Sequence, residues 1–190
     1  PSNSSTVNHT KVSYNLSENI VSGTVTWTNT GGTFDGTLHN QSLAGAELLA
    51  GSHVDTTLGN DPALVSGALY SISFDGVDAA GNNATTVTHT NITYNTVAPV
   101  ISSVAPSIGT TVNNTKVSYT LSEAIASGTI TWTLTGGTFD VNSPHVKSLT
   151  GSELNTGAHN DITLSNNPTL VNGAIYSVSF DAVDANSNPA

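Results

Sequence analysis

Carboxylates are the side chains in this sequence with the most chemistry to offer. Thirteen Asp and Glu stand against three Lys and no Arg, giving a formal net charge of −10. Carboxylates can act as general acids and bases, or as oxygen ligands for a hard cation. Twelve of the thirteen fall into six pairs related by an internal repeat: Glu18/Glu123, Asp35/Asp140, Glu47/Glu153, Asp55/Asp161, Asp75/Asp181 and Asp78/Asp184. Acidic positions therefore recur more faithfully than the average residue. With so few Lys nearby, converging carboxylates repel one another, and a cation relieves the repulsion.

Other reactive types offer less. There is no Cys, so disulfides and thiolate metal sites are excluded. No G-x-S-x-G, H-E-x-x-H, phosphate loop or complete EF-hand loop occurs. A glycosidase-like carboxylate pair needs a cleft around one acid of raised pKa, and two copies of such a site in a small repeated domain are not expected. We expect no enzyme. His39/His145 and His53/His159 also repeat. A transition metal could use such pairs, but surface histidines of a polar sheet are the expectation. Trp27 and Trp132 could stack on a sugar if exposed; their inward phase predicts core residues instead. The negative charge argues against nucleic acid and anionic membranes, both of which recruit clustered cations. No apolar run approaches the roughly 18 residues of a membrane span.

The repeat that pairs these acids is the firmest feature of the chain. T-K-V-S-Y at residues 10–14 recurs at 115–119, and G-G-T-F-D at 31–35 recurs at 136–140. L-V-S-G-A-L-Y-S-I-S-F-D-G-V-D at 64–78 recurs as L-V-N-G-A-I-Y-S-V-S-F-D-A-V-D at 170–184. Roughly two-thirds of the aligned positions are identical. The second copy has one extra residue near 141–144. Phase places the start of copy one after any equivalent of residues 99–105. It places the end of copy two before any equivalent of 85–97. The expectation is a piece of a longer array, with domains at 1–97 (lacking a first strand) and 98–190 (lacking a last strand).

The elements holding the acids read as strands. Only 8% of residues are charged, and Thr, Ser, Asn and Gly are abundant, which fits a folded β-rich chain rather than an acidic disordered one. Alternation places Val117, Tyr119 and Leu121 on one face, then Ile130, Trp132 and Leu134, then Tyr176, Val178, Phe180 and Ala182. Shorter strands are expected near 100–104, 146–149 and 160–164, with a last strand in copy one over 86–94. Val87 there is out of phase with Ile92. Gly-Gly and Asn-Gly mark turns.

Seven strands in about 105 residues is the count of an immunoglobulin-like sandwich. L-x-x-G-x-x-Y at 64–70 and 170–176 is similar to the tyrosine-corner spacing of fibronectin type III domains. L-S-E at 16–18 and 121–123, with D-A-A-G-N at 78–82, resembles the Ig-like repeats of large bacterial surface adhesins. Copy two departs from this, reading D-A-N-S-N at 184–188. The resemblance implies an all-β fold of two tandem seven-stranded Ig-like sandwiches, incomplete at the chain ends. It also implies an extracellular or cell-surface location, neighbouring repeats as partners, and Ca²⁺ at inter-domain linkers. In that connectivity the loops after strands two, four and six meet where the chain enters. The expected Ca²⁺ ligands are therefore Glu18, Glu47, Asp75 and Asp78 in copy one, and Glu123, Glu153, Asp181 and Asp184 in copy two. The function so implied is a non-catalytic spacer. A self-assembling filament or surface-layer subunit exchanging edge strands is the alternative, and a glycan-binding module is the second.

Overall fold

A computed structural model describes all 190 residues. The chain is all-β and divides into two compact units, Pro1–Thr96 and Val97–Ala190. The first holds β1 (Thr6–Val7), β2 (Val12–Leu16), β3 (Ile20–Gly32), β4 (His39–Ser42), β5 (Gly51–Thr56), β6 (Ala68–Asp78) and β7 (Val87–Tyr94). The second holds β8 (Ile101–Ala105), β9 (Val117–Leu121), β10 (Ser127–Gly137), β11 (His145–Ser148), β12 (Gly157–Ile162) and β13 (Ala174–Val183). The helical content is two 3-10 turns, Gly45–Leu48 and Gly151–Leu154, each just before β5 or β12.

Each unit has two sheets. In the first they run β1-β7-β6-β3-β4 and β2-β5; in the second, β11-β10-β13 and β12-β9-β8. Alternation decides which face is buried. Val25 and Trp27 on β3 pair with Phe74 and Ile72 on β6. Ile130 and Trp132 on β10 pair with Phe180 and Val178 on β13 in the same register. These residues meet Val12 of β2, or Val117, Tyr119 and Leu121 of β9, so each core draws on both sheets. Trp27 is fully buried and Trp132 is 2% exposed, as their phase requires. Small Thr and Ser fill the solvent faces, which suits a one-sided antiparallel sheet.

The Gly-Gly pairs close the β3–β6 and β10–β13 ladders. Gly32 and Gly137 have φ of 67° and 74°. A Cβ on either would lie 2.3 Å from the carbonyl oxygen of Gly67 or Gly173. Only glycine fits that approach, which accounts for its recurrence in both copies.

The phase break in β7 has a local cause. Tyr70 pairs with Ile92, but Ile72 pairs with His89. Three residues of β7 therefore span two of β6, with Asn91 at φ 58°. This is a β-bulge. It returns Val87 to the inward side, opposite Phe74. β12 lies a few residues earlier than the 160–164 expected, and it carries a second bulge between His159 and Ile162, with Asp161 at φ 51°.

The units differ at their edges. β8 pairs with β9, whereas the matching edge of β2 has no partner. Residues 1–9 instead contribute β1, which pairs in parallel with β7. In the second unit β13 has β10 on one side and no strand on the other.

Candidate functional site

The duplicated acids are best followed pair by pair, since the strands have now placed each. Asp35 and Asp140 lie just beyond the Gly-Gly turns, in the segments leading to β4 and β11. Both are buried. Asp35 Oδ2 accepts the Tyr70 hydroxyl at 2.6 Å and lies 2.8 Å from His39 Nε2, while Oδ1 accepts the Thr37 N–H at 2.9 Å. Asp140 repeats this with Tyr176 at 2.6 Å, His145 at 2.7 Å and the Asn142 N–H at 2.9 Å. Each tyrosine hydroxyl also accepts a backbone N–H five residues upstream, from Val65 or Val171. That is the hydrogen bond of a tyrosine corner.

The result is an Asp–His–Tyr clasp, present once in each unit. The donors hold the carboxylates ionised. Tyr70, then His39 and the Thr37 N–H, bring Asp35 down to about 2. His145, then Tyr176, bring Asp140 to about 2. Burial, and then the Asp35 hydrogen bond, push Tyr70 up to about 12. All the strong donors are spent on the carboxylate, so the arrangement ties a loop to a strand and presents no activated nucleophile. The histidines correct the surface expectation: the side chains of His39 and His145 are largely buried. The sequence held the signal, because both partners of the clasp repeat. The spacing between Asp35 and Tyr70 concealed it.

Glu47 and Glu153 cap the 3-10 turns. Oε2 of each accepts the N–H of the N-cap residue, Ala44 at 2.8 Å or Thr150 at 2.7 Å. Oε1 accepts the N–H of Gly59 at 3.1 Å or of Ser165 at 2.7 Å, in the loop after the next strand. Their carbonyls accept the hydroxyls of Tyr14 and Tyr119, both at 2.8 Å. Each glutamate thus joins a turn, a loop and a strand.

Asp78 and Asp184 each organise the tight loop that follows β6 or β13. Asp78 Oδ1 accepts the N–H groups of Ala80 and Asn82, and Oδ2 accepts the Asn82 side-chain amide. Asp184 does the same with Asn186 and Asn188. The Asn82 amide, with the backbone N–H groups, holds Asp78 below the usual carboxylate range. Burial pushes Asp184 up, but the Asn188 donors and those of Asn186 outweigh it, and its pKa is lowered. Asn is therefore kept where the second copy departs from D-A-A-G-N, and Gly is not: Ser187 takes φ 67° in the place of Gly81 at φ 87°.

Asp75 and Asp181 are exposed on the outer faces of β6 and β13, and Asp75 accepts the Thr86 hydroxyl. Glu18 is exposed in the β2–β3 loop and shares one shallow pocket with Asp78, Asn82 and Asn83. No three His, Asp or Glu side chains gather closely enough to hold a metal ion. The expected four-carboxylate clusters are thus dispersed: Glu47 and Glu153 cap turns, Asp78 and Asp184 bind their own loops, and Glu18 lies in a pocket with Asp78.

No protein-family model and no curated protein matches this sequence. No helix of the chain is long and apolar enough to cross a membrane. The exposed aromatic side chains that repeat are Phe34 and Phe139, at 83% and 77%. They immediately precede the buried Asp35 and Asp140, in the loops that follow β3 and β10.

Proposed function

We propose that the chain is a non-catalytic spacer segment built from two Ig-like, seven-strand-type sandwiches, part of a long extracellular or cell-surface protein of adhesin type. One observation carries this reading. In both copies three of the six repeated acid pairs are spent on bonds within their own unit: the Asp–His–Tyr clasp, the Glu cap and the Asp-anchored loop. A module repeated to add length needs each copy rigid and self-sufficient, and such bonds make it so. Buried, fully satisfied polar networks of this kind specify a unique packing.

Ca²⁺ is the separable part of the proposal. It would bind beside Glu18 and Asp78, which line one pocket, and at their counterparts Glu123 and Asp184, completed by backbone carbonyls. Chelation tests it. EDTA is expected to lower the melting temperature, and added Ca²⁺ to restore it. An unchanged melting curve removes Ca²⁺ and leaves the spacer.

The spacer itself is tested by small-angle scattering of the full chain. A maximum dimension independent of protein concentration is expected. Growth with concentration would favour the second reading, a filament or surface-layer subunit that exchanges strands between copies.

A further inference from the structure

The outer edges made by β5 and β12 are built alike, and both depart from a regular strand at the same point. Each strand has six residues and pairs with one neighbour, β2 or β9. His53 lies opposite Tyr14 and Thr56 opposite Val12, so Val54 and Asp55 together face Ser13. His159 lies opposite Tyr119 and Ile162 opposite Val117, so Asn160 and Asp161 together face Ser118. Asp55 takes φ 49° and Asp161 takes φ 51°. The two edges agree although β8 flanks β9 and no strand flanks the far side of β2. The bulge therefore belongs to β5 and β12 themselves.

A left-handed φ costs free energy for any residue with a Cβ, though less for Asp than for most. Glycine takes it freely. Asp stands there in both units, so the carboxylate is kept along with the bend. Packing does not call for it, since both aspartates are exposed. The bend acts on the edge. The Asp55 N–H donates to Ser13 Oγ at 3.0 Å, and the Asp161 N–H donates to Ser118 Oγ at 2.9 Å. Each amide is thus held by the strand already present, out of reach of an incoming one. The bulge also breaks the regular spacing of N–H and C=O groups that a ladder requires. A second copy brings its own Asp to the contact, and like charges across a strand pair destabilise it. Lys116 Nζ lies 2.8 Å from Asp161 Oδ2, so Asp55 carries the freer charge of the two. The edge needs such protection. Val54, beside Asp55, is 70% exposed, and a strand added there would cover it. The other outer edges, β4 and β11, are four residues long, and short edges recruit poorly.

We propose that the Asp55 and Asp161 bulges close the edges of β5 and β12 to a second copy of this chain. Two like units on one chain hold such edges at a high local concentration, and each bulge keeps them from adding to one another. The bend removes the ladder and the carboxylate repels its twin. This closure holds whether or not the chain is a spacer, and it confines any exchange of strands to other edges.

Amide hydrogen exchange of the full chain, at low and at high protein concentration, tests the closure. In the unaltered chain, exchange at residues 51–56 and 157–162 is expected to be the same at both. Deleting Asp55 and Asp161 restores an even ladder. Exchange at the same strands is then expected to slow by on the order of tenfold at the higher concentration. The substitutions Asp55→Asn and Asp161→Asn, made together, remove the charge and keep the bend, because Asn also tolerates a positive φ. They are expected to slow exchange there by about twofold, and they answer the question if the deletions unfold a unit. Concentration-dependent protection of these strands in the unaltered chain overturns the proposal. So does its absence from both altered chains, or protection confined to other strands.

Discussion

Tyr70 is sealed from solvent in the first unit, and its counterpart Tyr176 is only half-buried in the second. Tyr14 and Tyr119 show the opposite order. The residues are the same, so the difference comes from neighbouring strands. β7 covers β6 in the first unit, and β8 covers β9 in the second. Each unit is thus closed on the side where the other is open. Burial in these sheets belongs to strand pairs, and a side chain's sequence position states only which face it takes.

The largest test of this contrast uses one leucine in two settings. Leu121→Ala removes a side chain enclosed by β8 and is expected to cost about 3 kcal/mol. Leu16→Ala removes the same side chain beside an open groove, and about half that cost is expected. Urea unfolding of the full chain, with hydrogen exchange reporting each unit separately, measures both. Equal costs would break the comparison.

Next in size is the clasp. Tyr70→Phe leaves the Val65 N–H without its acceptor in a dry site, at an expected cost of about 2 kcal/mol. Tyr176→Phe should cost less, about 1 kcal/mol, because water can replace the hydroxyl at a half-buried position. The same unfolding measurement decides the order.

A smaller effect separates the two tryptophans. Trp27 Nε1 donates to the buried Gln41 Oε1 at 2.9 Å, whereas Trp132 Nε1 has no acceptor. Lys147 stands where the first copy has Gln41. Lys147→Gln supplies the missing acceptor and is expected to stabilise the second unit by about 1 kcal/mol. A stability unchanged or lowered would show that the indole is satisfied in another way.

The pH response should separate the units least. Asp35 and Asp140 both fall from 3.8 to about 2 in the folded chain. The unfolded chain binds their protons first, so their stabilisation is complete above pH 4 and is lost as pH falls through about 2. Both clasps should weaken together in acid. Tyr14, Tyr70 and Tyr119 rise from 10.0 to about 12. Here the folded chain keeps the proton longer, so stability is complete below pH 10 and is lost as pH rises toward 12. Melting temperature against pH checks both limbs. An acid limb carried by one unit alone would show that its clasp differs from its twin.

Strand positions were legible because their cause is local. Alternation over a few residues is enough to place Trp27, Trp132 and Val117 inward, and Gly-Gly marks a turn that admits nothing larger. The tyrosine-corner spacing likewise pointed to Tyr70 and Tyr176. The fates of the carboxylates were not legible. Glu47 was expected beside Asp78, yet its oxygens are taken by the N–H groups of Ala44 and Gly59. Asp35 repeats as Asp140, but no local pattern names its partner, and the polar run around His39 suggests a surface residue.

What the sequence determined by itself is the duplicated unit, its strands, their inward faces and the glycine-closed turns, since each follows from neighbours a few residues apart. Tertiary structure decided the rest. A carboxylate binds whichever donors the fold brings to it, and those of Asp35 include a hydroxyl 35 residues away. An edge is open or closed according to a strand that the local sequence never mentions. So two nearly identical runs, V-S-Y-N-L and V-S-Y-T-L, became one exposed edge and one buried strand.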